Sequence, residues 1–251
     1  MSNLKKPELL APAGGMEQLR AALRFGADAV YGGMKHYGLR AFAGNFGPEE
    51  LREAVVLCHQ MGRKFYVTMN IFPFDDQLPG FIEAARDAAK AGVDAAIVSD
   101  LGAICVLREQ VPELPLHVST QASTVNAPAV RQYQAMGCER VILAREMSLA
   151  RIAALHREVG DSIQLETFVH GASCVAWSGR CLLSAALTGR SGNQGACAQP
   201  CRWEYAVMEK KRPGEYLPVS EDLNGTYIFS AKDLNLMPLL PELVQAGVAS
   251  L

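Results

Sequence analysis

Four thiols fall close together in this chain, in the order Cys174-x6-Cys181-x15-Cys197-x3-Cys201, while Cys58, Cys105 and Cys138 are scattered. Clustered cysteines point to metal binding or redox chemistry. Four thiolates form a tetrahedral sulfur site, which suits zinc or an iron–sulfur cluster. Structural zinc favours cysteine pairs two to four residues apart. Cys197 and Cys201 meet that spacing, but the wider gap between Cys174 and Cys181 does not. A [4Fe–4S] cube accepts wider and uneven spacing, so a cluster is favoured over zinc. Both are favoured over four buried cysteines packed as small hydrophobes. Gly192, Gly195 and Pro200 beside Cys197 leave backbone N–H groups room to approach sulfur, and such bonds tune a cluster. Cys58, Cys105 and Cys138 read as core.

Other chemistries find less support. A metalloprotease needs H-E-x-x-H and a serine hydrolase needs G-x-S-x-G; the chain has neither. A cysteine protease pairs one Cys with a His. His170 lies near Cys174, but that pairing leaves three clustered cysteines without a role. The cysteine segment is also basic. From Cys174 to Arg212, six cations (Arg180, Arg190, Arg202, Lys210, Lys211 and Arg212) face two acids, Glu204 and Glu209, a local balance of +4 in a chain of net charge −2. Such a patch suits a phosphate backbone, and Trp177, Trp203 and Tyr205 are candidates to stack on a base. The competing reading is a solvated hairpin with core aromatics.

The elements that must position these residues repeat along the chain. Helix-like stretches end in Gly26, Gly62, Gly92, Gly137 and Gly247, each followed by a short apolar run. The spacing places a glycine where a helix needs a left-handed residue, and then a strand buried on both faces. Strands are expected near Glu8–Ala13, Ala29–Gly33, Phe65–Ile71, Ala95–Asp100, Leu116–Thr120, Arg140–Arg145 and Ile163–Val169. Helices are expected between them, and a further one near Leu234–Ala246 leads to an eighth strand at Val248. Alternating helices and buried strands make a (β/α)8 TIM-like barrel, with a doubly wound sheet as runner-up. APAGGMEQ after the first strand lacks the dinucleotide fingerprint G-x-G-x-x-G, which favours the barrel. The eighth strand runs into Leu251, so the barrel reads as truncated there, with a C-terminal part missing. Residues 170–230 form a cysteine-bearing insertion after strand seven. Trp203–Glu209 and Tyr216–Ser230 pair as a hairpin around KKRPGE.

Polar side chains at C-terminal strand ends are where barrel enzymes meet substrate. Here these are Asn70, Asp100, Ser119, Gln121, Arg145, Glu146, Glu166 and His170, with Asn126 and Asn193 as further polar neighbours. With 251 residues, 49% apolar and 20% charged, the chain fits one large globular domain. No apolar run approaches the ~20 residues that span a bilayer, so no membrane partner is expected. The N-terminus lacks the apolar stretch of a signal peptide, which argues for the cytoplasm.

The run LETFVHGASCVAWSGRCLLS, with Glu166, Phe168, Gly171, Ala172, Cys174, Gly179, Cys181 and Ser184, resembles the signature of the collagenase-like U-type peptidase family. PELLAPAG (Pro7–Gly14), GADAVYGG (Gly26–Gly33), SAKDL (Ser230–Leu234) and the terminal GVASL resemble it too. In that family GVASL usually continues into a Lys-Ile-Glu-Gly-Arg-like stretch. Despite the family name, its better-understood members are oxygen-independent hydroxylases carrying a four-cysteine [4Fe–4S] cluster. Some hydroxylate a tRNA wobble uridine with prephenate as co-substrate; others modify ribosomal RNA or a quinone precursor. CLLS followed by NQGAC and PCRWEY is most similar to the tRNA branch. The resemblance implies a cluster on Cys174, Cys181, Cys197 and Cys201, with tRNA and a small carboxylate as partners. A guanidinium binds carboxylates bidentately, so Arg145 is the candidate for prephenate, with Glu166 and His170 as catalytic candidates. An Arg145–Glu146 or Arg145–Glu166 ion pair is the structural alternative. Arg180, Arg202, Lys210, Lys211 and Arg212 are the RNA-contact candidates. Peptidase activity, or hydroxylation of ribosomal RNA or a quinone precursor, is the alternative function.

Overall fold

The structure, a computed structural model, describes residues 6–39, 44–171, 174, 176–203, 206–208, 210–218 and 233–251. Strands and helices alternate as β1 (Leu10–Pro12), α1 (Met16–Arg24), β2 (Ala29–Gly33), α2 (Pro48–Gln60), β3 (Lys64–Met69) and α3 (Leu78–Ala91). They continue as β4 (Ala95–Val98), α4 (Leu101–Gln110), β5 (Leu116–Val118), α5 (Ala127–Ala135), β6 (Arg140–Ile142), α6 (Leu149–Val159) and β7 (Gln164–Glu166). Beyond them lie β8 (His170–Gly171), α7 (Leu183–Thr188), β9 (Ala206–Met208), β10 (Tyr216–Pro218), β11 (Leu234–Asn235) and α8 (Leu240–Gln245).

The first seven strands form one parallel sheet in strictly sequential order, β1 through β7. A doubly wound sheet must reverse its order at a switch point, and this one does not. The two outer strands meet a common segment. Glu8 N donates to Ala249 O and Leu251 N to Glu8 O, both at 2.9 Å, on the β1 side. Ala249 N donates to Leu165 O at 2.8 Å and Thr167 N to Ser250 O at 3.2 Å, on the β7 side. Ser250 thus bridges both Glu8 and Glu166 in parallel register, and the sheet curls until residues 249–251 fill the place of strand eight.

Alternation along the strands sorts side chains into two layers. Val30, Phe65, Val67, Ala96, Val98 and Val141 join the helices in the larger core. Ala29, Tyr66, Ala95, Ile97 and Ile142 face the other way and form a second cluster with Leu10, Tyr31 and Phe168 packed on it. The five repeat glycines all take positive φ, between 65° and 92°. Gly92 shows why the position demands glycine: it ends α3 at φ 84°, ψ 26°, and its N–H bonds back to Ala89 O.

One element departs from expectation. The helix expected over Leu234–Ala246 begins only at Leu240. Leu234–Asn235 instead pairs antiparallel with His170–Gly171, and a 3-10 turn covers Met237–Leu239. Pro238 has no N–H to give to a helix interior, and Pro241 is tolerated only in the first turn, so helix is allowed after these prolines and not through them. The hairpin is present as β9 and β10, with Met208 opposite Tyr216. The remainder of its expected second strand, together with Glu204, Tyr205, Glu209 and the Ser230–Lys232 part of SAKDL, lies outside the described residues.

Candidate active site and cysteine segment

The cysteine segment is fastened to the loops that follow β3, β5 and β6, at the C-terminal end of the sheet. Ser178 donates its N–H and its hydroxyl to the carboxylate of Glu146, just beyond β6. Arg180 Nε donates to Gln121 O at 3.4 Å, just beyond β5. Gln194 Nε2 donates to Phe72 O, just beyond β3. The segment therefore covers the end of the sheet where barrel enzymes carry their chemistry.

Within it, all four cysteines are free thiols, with Cys197 exposed and the other three half-buried. Burial raises the Cys201 thiol above its ordinary value, and negative charge on Cys174 and Cys197 raises it further, so these three share one electrostatic neighbourhood. Gly192 lies between Cys181 and Cys197. A Cβ added there would stand 3.5 Å from Cys197 Cβ, 3.8 Å from its Sγ and 4.0 Å from the Cys181 carbonyl oxygen. The backbone donors to sulfur are those of Leu183, to Cys181 Sγ, and Gln199, to Cys197 Sγ, each at 3.3 Å. They take the part expected of the N–H groups near Gly192 and Gly195. Among the described residues, no three His, Cys, Asp or Glu side chains are gathered tightly enough to hold a single metal ion. In donor chemistry the segment fits a larger sulfur-ligated cluster: four unbridged thiols, two of them already hydrogen-bonded by backbone N–H groups.

The strand-end residues divide. Arg145 is half-buried, its guanidinium carbon 5.8 Å from the centroid of Phe168. Neither expected carboxylate partner pairs with it: Glu146 is taken by Ser178 and Glu166 by Arg140. Among the described residues Arg145 has no ion pair, which leaves a cation beside an aromatic ring near the sheet's C-terminal end. Glu166 is instead drawn into the interior. Arg140 Nη1 holds Glu8 at 2.7 Å and Glu166 at 2.9 Å, with all three largely buried. Tyr66 donates to Glu8 at 2.8 Å, and the His117 ring packs edge-on to Tyr66. Burial raises the Glu166 carboxyl despite Arg140, and it lowers His117 well below the ordinary imidazole value, helped by the Arg140 and Lys64 charges. Sequence reasoning missed this cluster. Its signal was a Glu or Arg in or beside three short strands: Glu8 before β1, Arg140 opening β6 and Glu166 closing β7.

His170 is exposed on β8, apart from the parallel sheet. Asp100 and Asn126 are helix caps, accepting from Ala103 N at 2.8 Å and Ala129 N at 3.0 Å. Ser119 caps the short turn at Gln121, and Asn70 accepts from Leu39 N. Trp177 and Trp203 are exposed rather than core. Arg180 is exposed, and Arg202 lies 3.5 Å from Asp233. Lys210, Lys211 and Arg212 are exposed in the turn between β9 and β10. No described helix is long and apolar enough to cross a membrane.

Residues 14–251 match the family model described as Peptidase family U32. A relative from Escherichia coli (strain K12), tRNA hydroxylation protein P, is 41% identical over 98% of this chain and 63% of its own length. Another from Bacillus subtilis (strain 168), tRNA hydroxylation protein P1, is 41% identical over 98% of this chain and 58% of its own length. The chain thus spans less than two thirds of either relative. Among solved structures, one titled "The Structure of the U32 Peptidase Mk0906" superposes with a TM-score of 0.56 at 15% identity, covering 67% of this chain and 70% of that one, a likeness of fold.

Proposed function

This chain belongs to peptidase family U32, and from that premise we propose that it is the barrel portion of a cytoplasmic RNA-modifying hydroxylase acting on a tRNA wobble uridine. The observation that carries the reading is the docking of a four-thiol segment over the C-terminal end of the sheet, through Ser178–Glu146, next to an Arg145 without a carboxylate partner among the described residues. Cys174, Cys181, Cys197 and Cys201 would hold a [4Fe–4S] cluster, which supplies electron transfer when bound. Arg145 binds and orients a dicarboxylate co-substrate of the prephenate type through bidentate contacts, with Phe168 against its guanidinium plane. The names of the two relatives support RNA hydroxylation over proteolysis. So does the lack of metalloprotease and serine-hydrolase motifs.

The test compares Cys181→Ser and Arg145→Ala with wild type, each purified without oxygen and each assayed for 5-hydroxyuridine in tRNA from cells. Cys181→Ser is expected to lose iron, sulfide and modified uridine while keeping the far-ultraviolet dichroism of the barrel. Arg145→Ala is expected to keep iron and tRNA binding and lose modified uridine. Wild-type levels of modified uridine in both variants overturn the reading.

A further inference from the structure

A groove beside the cysteine segment has no part in the reading above. It encloses about 360 Å³ and is lined by Phe72, Phe74, Arg180, Ser191, Asn193 and Gln194. Two distant stretches of chain build it. Phe72 offers both backbone groups across the gap, its N–H to Asn193 O at 3.5 Å and its carbonyl to the Gln194 side chain. The Arg180 guanidinium lies 5.6 Å from the Phe72 ring centroid. Phe74 is 65% exposed, yet its position is set by a turn in which its N–H donates to Gln77 Oε1 and its carbonyl accepts from Gln77 N, both at 2.9 Å. An aromatic ring left in water on a fixed turn, opposite two amides and a cation, calls for a planar, polar-edged, anionic ligand.

We propose that this groove is a subsite for one unpaired nucleotide of the RNA substrate, an inference that rests on the RNA-modifying reading. Unstacked bases are held by aromatic rings, which Phe74 offers, and their phosphates by cations, which Arg180 offers. The volume lies near the lower end of the range for small-ligand pockets, about 300–1,000 Å³, which accommodates a nucleotide and excludes a helix. Asn193 Oδ1 is buried and has no donor among the described residues, and a base N–H can supply one once the amide turns toward the groove. Asp75 and Asp76 follow Phe74 and are exposed, so they repel phosphate from that rim. The base therefore sits at Phe74 and its phosphate at Arg180.

The test uses the full chain and two labelled probes: a stem–loop RNA with unpaired loop uridines, and a fully paired RNA duplex of matched length. Wild type is expected to prefer the stem–loop. Phe74→Ala should weaken stem–loop binding about tenfold, the loss of one stacked base, and leave duplex binding unchanged, which also reports an intact fold. Phe74→Trp should restore the preference. If wild type prefers the stem–loop and Phe74→Ala binds it equally well, the subsite is wrong and the RNA reading stands. If wild type binds neither probe, the RNA reading and the subsite fall together.

Discussion

Ser178 is bonded twice to Glu146: its N–H donates to Oε1 at 2.5 Å and its hydroxyl to Oε2 at 2.7 Å. Ser178 is fully buried and holds φ at 41°, a left-handed conformation unusual for a residue with a Cβ. Strain of this kind persists where the surrounding structure over-determines it. The carboxylate pins the loop between Cys174 and Cys181 to the end of β6, one residue from Arg145, so the candidate cluster site and the candidate anion site share an anchor.

Removing that anchor should free the cysteine segment without melting the barrel. Hydrogen bonds to a charged group are worth about 1.5–3 kcal/mol each. Glu146→Ala is therefore expected to speed amide hydrogen exchange in peptides spanning 176–203 by more than tenfold, and to leave those from α3 and α4 at wild-type rates. Uniform exchange across all peptides would show that the bond has no local role.

Arg140 carries a different kind of load. It is 3% exposed and stands between two carboxylates, Glu8 and Glu166, with Ser250 also donating to Glu8 at 3.2 Å. Losing the cation leaves buried negative charge uncompensated, which costs about 3–5 kcal/mol. Arg140→Ala is expected to lower the urea midpoint sharply. Glu166→Gln should cost much less, because the amide oxygen still accepts from Arg140 and Glu8 still balances it. Equal midpoints for the two variants would remove the network from the account of barrel closure.

Much of this architecture was legible before any coordinates. The glycine repeat marked five helix ends, at Gly26, Gly62, Gly92, Gly137 and Gly247, because each takes a left-handed conformation that costs other residues more, as at Gly92. The hairpin was legible from its polar turn. The error at Leu234 came from reading apolar content over Pro238, whose missing N–H outranks it. Glu166 was assigned to the mouth because it ends β7, yet alternation turns its side chain toward Arg140, a partner 26 residues away in sequence. The Phe72–Phe74 groove was not legible at all, since it exists only where residues 191–194 meet the β3–α3 loop.

The interior also sets a pH dependence. His117 is buried, its ring 4.7 Å from Tyr66, and Nδ1 has no partner among the described residues. Burial, then Arg140 and Lys64, hold it neutral far below 6.5, whereas the unfolded chain protonates it near 6.5. Below that pH the unfolded state binds more protons than the folded one, so this group makes stability fall as pH drops from 6.5. His117→Phe keeps the ring packing and removes the titration. The difference in denaturant stability between variant and wild type should therefore be flat above pH 7 and grow in the variant's favour below 6.5. A difference that does not change with pH would show that His117 is charged in the fold or already exposed.

On the proposed RNA-modifying reading, the basic turn is expected to answer to salt. Lys210, Lys211 and Arg212 are exposed in the turn between β9 and β10. Each phosphate that a cation neutralises releases counterions, so the logarithm of affinity falls linearly with the logarithm of salt, by roughly 0.7–0.9 per phosphate. Reversing all three to Glu is expected to weaken tRNA binding across sequences and to flatten that slope by about one unit for each phosphate no longer engaged. Iron content and thermal midpoint should stay at wild-type values, because the turn lies outside both the cysteine segment's anchors and the barrel core. The discriminating measurement is the slope rather than a single affinity. A variant that binds more weakly with an unchanged slope is deficient in something other than phosphate neutralisation, and the turn would then be a solvated hairpin with no part in RNA recognition.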